Sequence, residues 1–235
     1  MRVLVLGSGA REHALVTRLL EDGGGGEVLC APGNPGIAAV CRTVDANLAD
    51  PGGLFELATR ERADLTVVGP ELPLSLGVAD RFAAGGRSLF GPSQSAARLE
   101  SSKAFAKAFM ARHAIPTARF GTCESVEQGL VAVRSGEYGF PVVLKADGLA
   151  AGKGVVIAED QSSAEAAVMA AMSERRFGAA GDRLVVEECL SGPEVSFFVL
   201  CDGERAVVLG SALFFLREGS LPSAATCSSR PPRVR

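Results

Sequence analysis

The chain has 235 residues, of which 47% are apolar and 22% charged, and its formal net charge is -3. This composition predicts a soluble globular protein of one or two domains, and it excludes a general attraction to nucleic acid or to an anionic membrane surface. Six cysteines without a Cys-x-x-Cys pair and only two histidines argue against a zinc site and favour a reducing, cytoplasmic location.

Strand and helix signals alternate through the first hundred residues. RVLVLG reads as a buried strand and AREHALVTRLL as a helix, and EVLCA, GLFELATRER and DLTVVGP continue as strand, helix and strand. LSLGVADRFAA and RSLFGP then predict a further helix and a further strand. This alternation predicts the α/β class with a doubly wound parallel sheet.

A domain boundary is predicted at LESSKAFAKAFMARHAIP, a helix capped by Ser101 or Ser102 and ended by Pro116. Beyond it, FPVVLKAD and GVVIAED predict two strands joined by a glycine-rich loop. SSAEAAVMAAM predicts a helix with a capping box from Ser162 to Glu165, and RLVVEECL another strand. EVSFFVLCDGERAVVLG predicts a hairpin, because Asp-Gly separates two apolar runs. The second part is therefore expected to be an α+β unit with antiparallel pairing.

The segment GSGAREH, residues 7–13, connects the first strand to the first helix. Backbone N–H groups at a helix N-terminus favour an anion. A dinucleotide fingerprint would need glycine or alanine where Glu12 stands, which disfavours a nicotinamide-dependent dehydrogenase. The segment therefore indicates a site for a single phosphate beside Arg11, or else a plain turn with Arg11 in solvent.

Two further loops, APGNPG and VVGPELPL, each follow a strand. In an open parallel sheet, ligands bind outside the carboxyl ends of the strands. Glu71 in the second loop is suited to receive an amine or a sugar hydroxyl. From the residues alone, we favour the interpretation that the prolines and glycines of these two segments only shape surface loops.

The stretch KADGLAAGKGVV, residues 145–156, holds two lysines and several glycines. It leads from strand to strand, whereas the Walker phosphate loop leads from strand to helix. A glycine-rich hairpin of this kind can fold over phosphates and offer N–H donors together with the charges of Lys145 and Lys153. The alternative is a long hairpin without a ligand.

The acids of VVEECLSGPEVS follow on the next strand. Glu187 and Glu188 are expected on opposite faces of that strand, and Glu194 comes just after a Gly-Pro turn. These acids are suited to bind the edge of an adenosine or the hydroxyls of a ribose. Without other evidence, the favoured interpretation is that they are solvent-exposed charges.

Seven motifs in this order closely resemble the phosphoribosylamine–glycine ligase family of ATP-grasp enzymes, over about residues 1 to 211. They are LVLGSGAREHAL, APGNPG, VVGPELPL, FGPS, LESSKAF, VVLKADGLAAGKGVV and VVEECLSGPEVSF. The resemblance implies a pre-ATP-grasp domain followed by an ATP-grasp domain with an intact lid and an incomplete large subdomain.

The resemblance also implies roles for individual residues. The positions implied for ATP binding are Lys103, Lys145, Gly152, Lys153, Gly154, Glu187, Glu188, Leu190 and Glu194. Those implied for 5-phosphoribosylamine binding are Gly9, Arg11, Glu12, Asn34, Pro70 and Glu71. No catalytic residue is assigned.

The family reaction joins glycine to 5-phosphoribosylamine in purine biosynthesis. ATP converts the glycine carboxylate to an acyl phosphate, and the amine then attacks it to give glycinamide ribonucleotide, ADP and phosphate. The cofactors implied are ATP and Mg²⁺ or Mn²⁺, and the expected state is a monomer that binds small molecules, without nucleic-acid or membrane partners.

The chain departs from the family after about Ser211, where a Ser-, Pro- and Arg-rich segment replaces the family's metal-ligating segment. A truncation, frameshift or alternative transcript is expected, with no metal ligands and with activity lost or impaired. The expected domains are the N-terminal domain 1–100, a linker helix 101–117, the lid 118–190, the start of the large subdomain 191–211 and a disordered tail 212–235. The alternatives are a non-catalytic nucleotide- or sugar-phosphate-binding fragment and another ATP-grasp carboxylate–amine ligase.

Overall fold

A computed structural model of the chain describes residues 1–22, 26–149 and 153–214. The chain divides into two compact units, Met1–Ala106 and a second that begins at Lys107. Most of the predicted disordered tail lies outside the described residues, and so does Gly152.

The first unit is built on a five-stranded sheet in which every pair of neighbours is parallel. Its strands, in chain order, are β1 Arg2–Gly7, β2 Glu27–Pro32, β3 Arg42–Thr43, β4 Leu65–Val68 and β5 Leu89–Phe90. Their spatial order is β3-β2-β1-β4-β5, so β1 is central and neighbours both β2 and β4.

Seven helices begin within the described residues of this unit. They are α1 Ala10–Glu21, α2 Pro35–Ala38, α3 Pro51–Arg60, α4 Glu71–Ser75, α5 Val78–Ala84, α6 Gln94–Ser101 and α7 Lys103–Arg112. The division between the two units falls within α7. The hydroxyl of Ser102 accepts a hydrogen bond from the Phe105 N–H at 3.1 Å, as the sequence predicts for the start of this helix.

Strand β1 is buried on both faces, and successive side chains enter different apolar clusters. One cluster joins β1 to α3 and α5 and includes Leu4, Leu6, Leu54, Leu57 and Phe82. The other joins β1 to α1 and α2 and includes Val3, Val5, Val16 and Ile37. A strand that must be apolar at every position belongs in a sheet covered on both faces, which confirms the doubly wound prediction.

The second unit contains a four-stranded antiparallel sheet with the order β6-β9-β7-β8. These strands are β6 Phe120–Cys123, β7 Val142–Ala146, β8 Val155–Ala158 and β9 Leu184–Glu188. Two helices, α8 Val126–Arg134 and α9 Gln161–Val168, pack their apolar side chains against one face of this sheet. A π-helical turn, Met169–Ser173, and a 3₁₀ turn, Gly178–Asp182, then lead into β9.

A two-stranded hairpin follows, formed by β10 Glu194–Cys201 and β11 Ala206–Phe214. The predicted hairpin is therefore present, and its pairing shifts by one residue between Phe198 and Val199. Its side chains are largely exposed: Phe197, Val208 and Leu209 have 63%, 60% and 66% of their surface accessible.

Two local predictions are wrong. The capping box of α9 is formed by Asp160 and Ser163, whereas Glu165 pairs with Arg134. The segment LSLGVADRFAA forms parts of α4 and α5 and not one helix, because Gly77, with φ of 85°, breaks it. None of the helices in the described ranges has the length and apolarity that a membrane crossing requires.

Candidate functional site

The carboxyl edge of the parallel sheet gathers six predicted residues, which lie in the loops after three strands or in the first turns of the helices that follow them. Gly9, Arg11 and Glu12 follow β1, Asn34 follows β2, and Pro70 and Glu71 follow β4. Because β1 lies between β2 and β4, the three loops are neighbours, at the position where parallel sheets of this kind bind ligands.

Contacts between side chains and backbone join these loops. The Asn34 side chain donates to the Ser8 carbonyl at 2.8 Å and accepts from the Ile37 N–H at 3.0 Å, where it caps α2. Asn34 therefore holds the β1 and β2 loops together. Pro70 is the residue before α4 and adopts the extended conformation that places Glu71 at the first helical position.

An ion pair links the first turns of α1 and α4, the helices that follow β1 and β4. Arg11 Nη2 and Glu71 Oε1 lie 3.0 Å apart, and both side chains are partly exposed. The hydrogen bond to Glu71 raises the pKa of Arg11. Burial acts to raise the pKa of Glu71, but hydrogen bonds from its own backbone N–H and from Arg11 outweigh burial and hold that pKa below its usual value.

Glu12 is the buried acid of this edge, with only 3% of its surface exposed. Its Oε2 accepts a hydrogen bond from the Gly9 N–H at 2.6 Å. Gly7 and Gly69 make room for it, because a Cβ atom on either would overlap the Glu12 side chain. The bulk of Glu12 is thus accommodated by one glycine at the end of β1 and another directly after β4.

One oxygen of this acid has no protein donor. Glu12 Oε1 is buried and has no hydrogen-bond partner among the described residues. A buried carboxylate oxygen without a donor is costly, so it marks a place where a ligand N–H or O–H group would be stabilised. The Gly9 N–H, in contrast, is already occupied by Glu12, which leaves the next backbone N–H groups of α1 for a phosphate.

In the second unit, Lys145 and Glu187 lie diagonally across β7 and β9. Glu187 is opposite Val143 in the register and Lys145 is opposite Val185, so both charged side chains lie on one face of the sheet. The other face carries Leu144 and the apolar cluster with α8 and α9. Lys145 Nζ contacts Glu187 Oε1, and both residues are buried, with 7% and 2% of their surfaces exposed.

A third charge joins this pair. Lys107 Nζ contacts Glu187 Oε2, donates to Thr117 Oγ1 at 2.8 Å and to the Ala118 carbonyl at 3.4 Å, and lies 5.4 Å from the Phe120 ring centroid. Lys107 is not among the site residues predicted from the sequence, and only 3% of its surface is accessible. The available signal was its spacing of three from Ala104, which is also buried on α7.

Glu188 has a different role from its neighbour. Its two oxygens accept hydrogen bonds from the Arg119 backbone N–H at 2.9 Å and the Arg119 side chain at 2.8 Å. These bonds, the backbone one first, lower the pKa of Glu188. Glu188 therefore fastens β9 to the segment before β6, and its carboxylate is engaged within the protein.

The remaining predicted ATP-binding residues are spread over both units. Lys103 begins α7 in the first unit and is partly buried. In the second unit, Lys153 is exposed, and the Gly154 carbonyl accepts from the Ala146 N–H at 2.7 Å. Leu190 is 39% exposed, and Glu194 starts β10. Gly152 lies outside the described residues.

A divalent-metal site is not formed by the described residues. Within residues 1–22, 26–149 and 153–214, no three His, Cys, Asp or Glu side chains group closely enough to hold a metal ion. None of the acids named above is therefore assigned to a metal.

Models of one protein family match the chain over nearly its whole length. Residues 1–100 match the N domain of phosphoribosylglycinamide synthetase, and residues 101–218 match its ATP-grasp (A) domain. The chain belongs to the phosphoribosylglycinamide synthetase family. This confirms the family that the motifs resemble, and it assigns the antiparallel unit with Lys145 and Glu187 to the ATP-grasp domain.

Relatives in this family are named phosphoribosylamine–glycine ligase. The chain is 51% identical to that of Xanthomonas axonopodis pv. citri over 93% of its own length, and 46% identical to that of Salmonella typhimurium over 94%. These alignments cover 51% of each relative, so the chain spans about half the length of the curated relatives it matches.

Solved structures agree with this fold. The crystal structure of the Thermotoga maritima phosphoribosylamine–glycine ligase matches with a TM-score of 0.72 and 29% identity, covering 90% of this chain and 49% of that one. A biotin carboxylase from Campylobacter jejuni shares the fold alone. It matches with a TM-score of 0.69 and 20% identity, covering 89% of this chain and 50% of that one.

Proposed function

We propose that the chain contributes the substrate- and nucleotide-binding regions of an ATP-dependent phosphoribosylamine–glycine ligase. ATP would transfer its terminal phosphoryl group to the glycine carboxylate, which leaves ADP and glycyl phosphate. The amine of 5-phosphoribosylamine would then attack the carbonyl carbon, form the amide bond and displace phosphate. The product is glycinamide ribonucleotide.

The observation that carries the proposal is the environment of Lys145 in the family's ATP-grasp domain. Its ammonium group is buried at the end of β7, next to the glycine-rich segment, and Glu187 is the partner identified for it among the described residues. A lysine ammonium has three N–H donors, so donors remain for phosphate oxygens. Charge-assisted bonds to phosphate in a site with little water are strong.

Substrate recognition is proposed for the carboxyl edge of the first sheet. The unpartnered Oε1 of Glu12 is suited to the amine or a ribose hydroxyl of 5-phosphoribosylamine. Arg11 and the free N–H groups at the start of α1 are suited to its phosphate. Asn34 and Pro70 shape the loops, and Glu71 holds Arg11 in place.

The divalent ion, Mg²⁺ or Mn²⁺, would neutralise charge on the triphosphate. The described residues do not fit such an ion, because they form no cluster of metal-ligating side chains. No step of the reaction is therefore assigned to a metal held by them. Lys145 and Lys153 are the side chains of the second unit proposed to contact phosphate oxygens.

Nucleotide binding by the 235-residue chain tests the proposal. Calorimetry with a non-hydrolysable ATP analogue should show binding that Lys145→Met weakens by roughly ten- to hundredfold, the value of a charge-assisted bond. Arg134→Met is the matched control, since it removes the same charge from α8, which covers the opposite face of the same sheet. Equal losses in the two variants, or no binding by the unmodified chain, would contradict the proposal.

The reaction itself is tested with glycine and freshly prepared 5-phosphoribosylamine. ADP release that requires both substrates, and a hydroxamate trapped from glycyl phosphate by hydroxylamine, would support the ligase chemistry. A chain that binds the nucleotide but forms neither product would limit the proposal to binding.

A further inference from the structure

The buried cluster of Lys107, Glu187 and Lys145 contains two positive side chains and one negative side chain. Two ammonium groups contact the two oxygens of one carboxylate, and 3%, 7% and 2% of the surfaces of Lys107, Lys145 and Glu187 are exposed. Within this cluster of described residues, two positive charges therefore face one negative charge in a buried site. The excess positive charge is costly in a protein interior unless an anion binds beside it.

The two lysines differ in how many of their donors are used. Lys107 donates hydrogen bonds to Thr117 Oγ1 and to the Ala118 carbonyl, and its ammonium group also forms an ion pair with Glu187 Oε2. Lys145 has one identified partner among the described residues, Glu187 Oε1. The excess positive charge of this cluster is therefore available at Lys145 and not at Lys107.

We propose that Lys107 is a positioning residue for nucleotide binding. By holding one oxygen of Glu187, it shares the carboxylate's negative charge and prevents Glu187 and Lys145 from forming a closed, neutral pair. Lys145 then keeps a net positive charge for the phosphates. This inference rests on the proposed nucleotide site and adds a residue that does not itself touch the nucleotide.

The residue type supports this role. The chain has four lysines among 24 Lys and Arg residues, and all four lie between residues 103 and 153. Arginine supplies the basic side chains elsewhere, but its guanidinium is larger and planar. The space between Thr117, Ala118 and the Phe120 ring holds a compact ammonium group with almost no exposed surface.

The test separates phosphate recognition from nucleoside recognition. Adenosine and a non-hydrolysable ATP analogue are titrated into the unmodified chain and into Lys107→Met, and the ratio of the two affinities is compared. We expect the analogue to lose roughly tenfold or more in Lys107→Met while adenosine changes little. A residue needed only for folding would weaken both ligands together.

A second substitution gives a rescue that simple destabilisation cannot imitate. In Lys107→Met combined with Glu187→Gln, no carboxylate remains to neutralise Lys145, so the ratio of analogue to adenosine affinity should return towards that of the unmodified chain. Thr117→Val, which removes one acceptor of Lys107 without changing side-chain size, should shift the ratio in the same direction by a few-fold. Thermal melting of each variant checks folding, and Thr117→Val still tests the inference if Lys107→Met does not fold.

The outcomes are distinct. If the unmodified chain binds neither ligand, the proposed function fails and this inference fails with it. If the chain binds the analogue but Lys107→Met and Thr117→Val leave the affinity ratio unchanged, or the double variant shows no recovery, the positioning role alone is overturned.

Discussion

Gly69 lies against Glu12 so closely that a Cβ atom at position 69 would overlap the Glu12 carboxylate. Glu12 lies in the first turn of α1 and Gly69 directly follows β4, and their contact allows a buried acid to stand beside β4. Only glycine leaves enough space for Glu12 at position 69, so substitution of Gly69 should destabilise the fold.

Gly69→Ala should lower the free energy of unfolding by about 1–3 kcal/mol, since added bulk in a packed site forces its neighbours to move. Urea unfolding measures the change. Gly52→Ala is the control, because a Cβ there meets only ordinary contact with Asp50, at 3.4 Å. In a chain that already carries Glu12→Ala, Gly69→Ala should lower the free energy of unfolding by less than it does in the unmodified chain. If the two substitutions lower the free energy of unfolding additively, the two residues do not share this space.

Glu12→Gln should weaken the binding of ribose 5-phosphate, a stable probe for the proposed substrate, by roughly tenfold. The reason is that a neutral amide is a poorer acceptor than a carboxylate for the ligand's hydroxyl group. Calorimetry provides the measurement. Glu56→Gln, an exposed change of the same charge on α3, should leave the affinity unaltered. Unchanged binding in Glu12→Gln would remove Glu12 from the proposed substrate site.

The stability contributed by Glu71 should depend on pH. Its pKa in the folded chain lies below the ordinary value of 4.5, so folding favours the ionised form. The contribution is therefore complete above pH 4.5 and is lost as the pH falls through the lowered folded pKa.

The unfolding free energies of the unmodified chain and Glu71→Gln should thus differ most near neutral pH and converge in acid. The difference should stay below about 1 kcal/mol and shrink with added salt, because the ion pair with Arg11 is partly exposed. A difference that grows as the pH falls would contradict the ion-pair explanation.

The hairpin of β10 and β11 should promote self-association. Neighbouring residues such as Phe197 and Phe198, or Val207 and Val208, point to opposite faces of a strand, yet all four are at least half exposed. Exposed apolar surface on a two-stranded sheet favours contact with other chains.

Leu209→Lys should therefore raise the concentration at which light scattering detects oligomers by about several-fold. Val131→Lys, an equally exposed but isolated position on α8, should not. An equal effect at both positions would show that the gain comes from net charge and not from the hairpin.

Much of the fold could be predicted from local patterns. The alternation of short apolar runs with helical segments indicated the parallel sheet, and Asp202-Gly203 indicated the hairpin, because strand and turn signals reside within a few residues. The capping of α9 was misread, since Ser162 and Asp160 are both acceptable caps and only the helix start distinguishes them. The assignments of individual site residues stay predictions.

By itself, the sequence determined the order of strands and helices, the family and the glycine-rich segment after Lys145, since these depend on residue type and spacing along the chain. Only the tertiary structure decided which charges are buried together. Glu12 is enclosed because Gly69 leaves space for it, and Lys107 is enclosed because the chain after α7 returns past it through Thr117 and Ala118 to β6. Burial of a charge depends on partners that are distant in sequence, and periodicity along one helix contains no information about them.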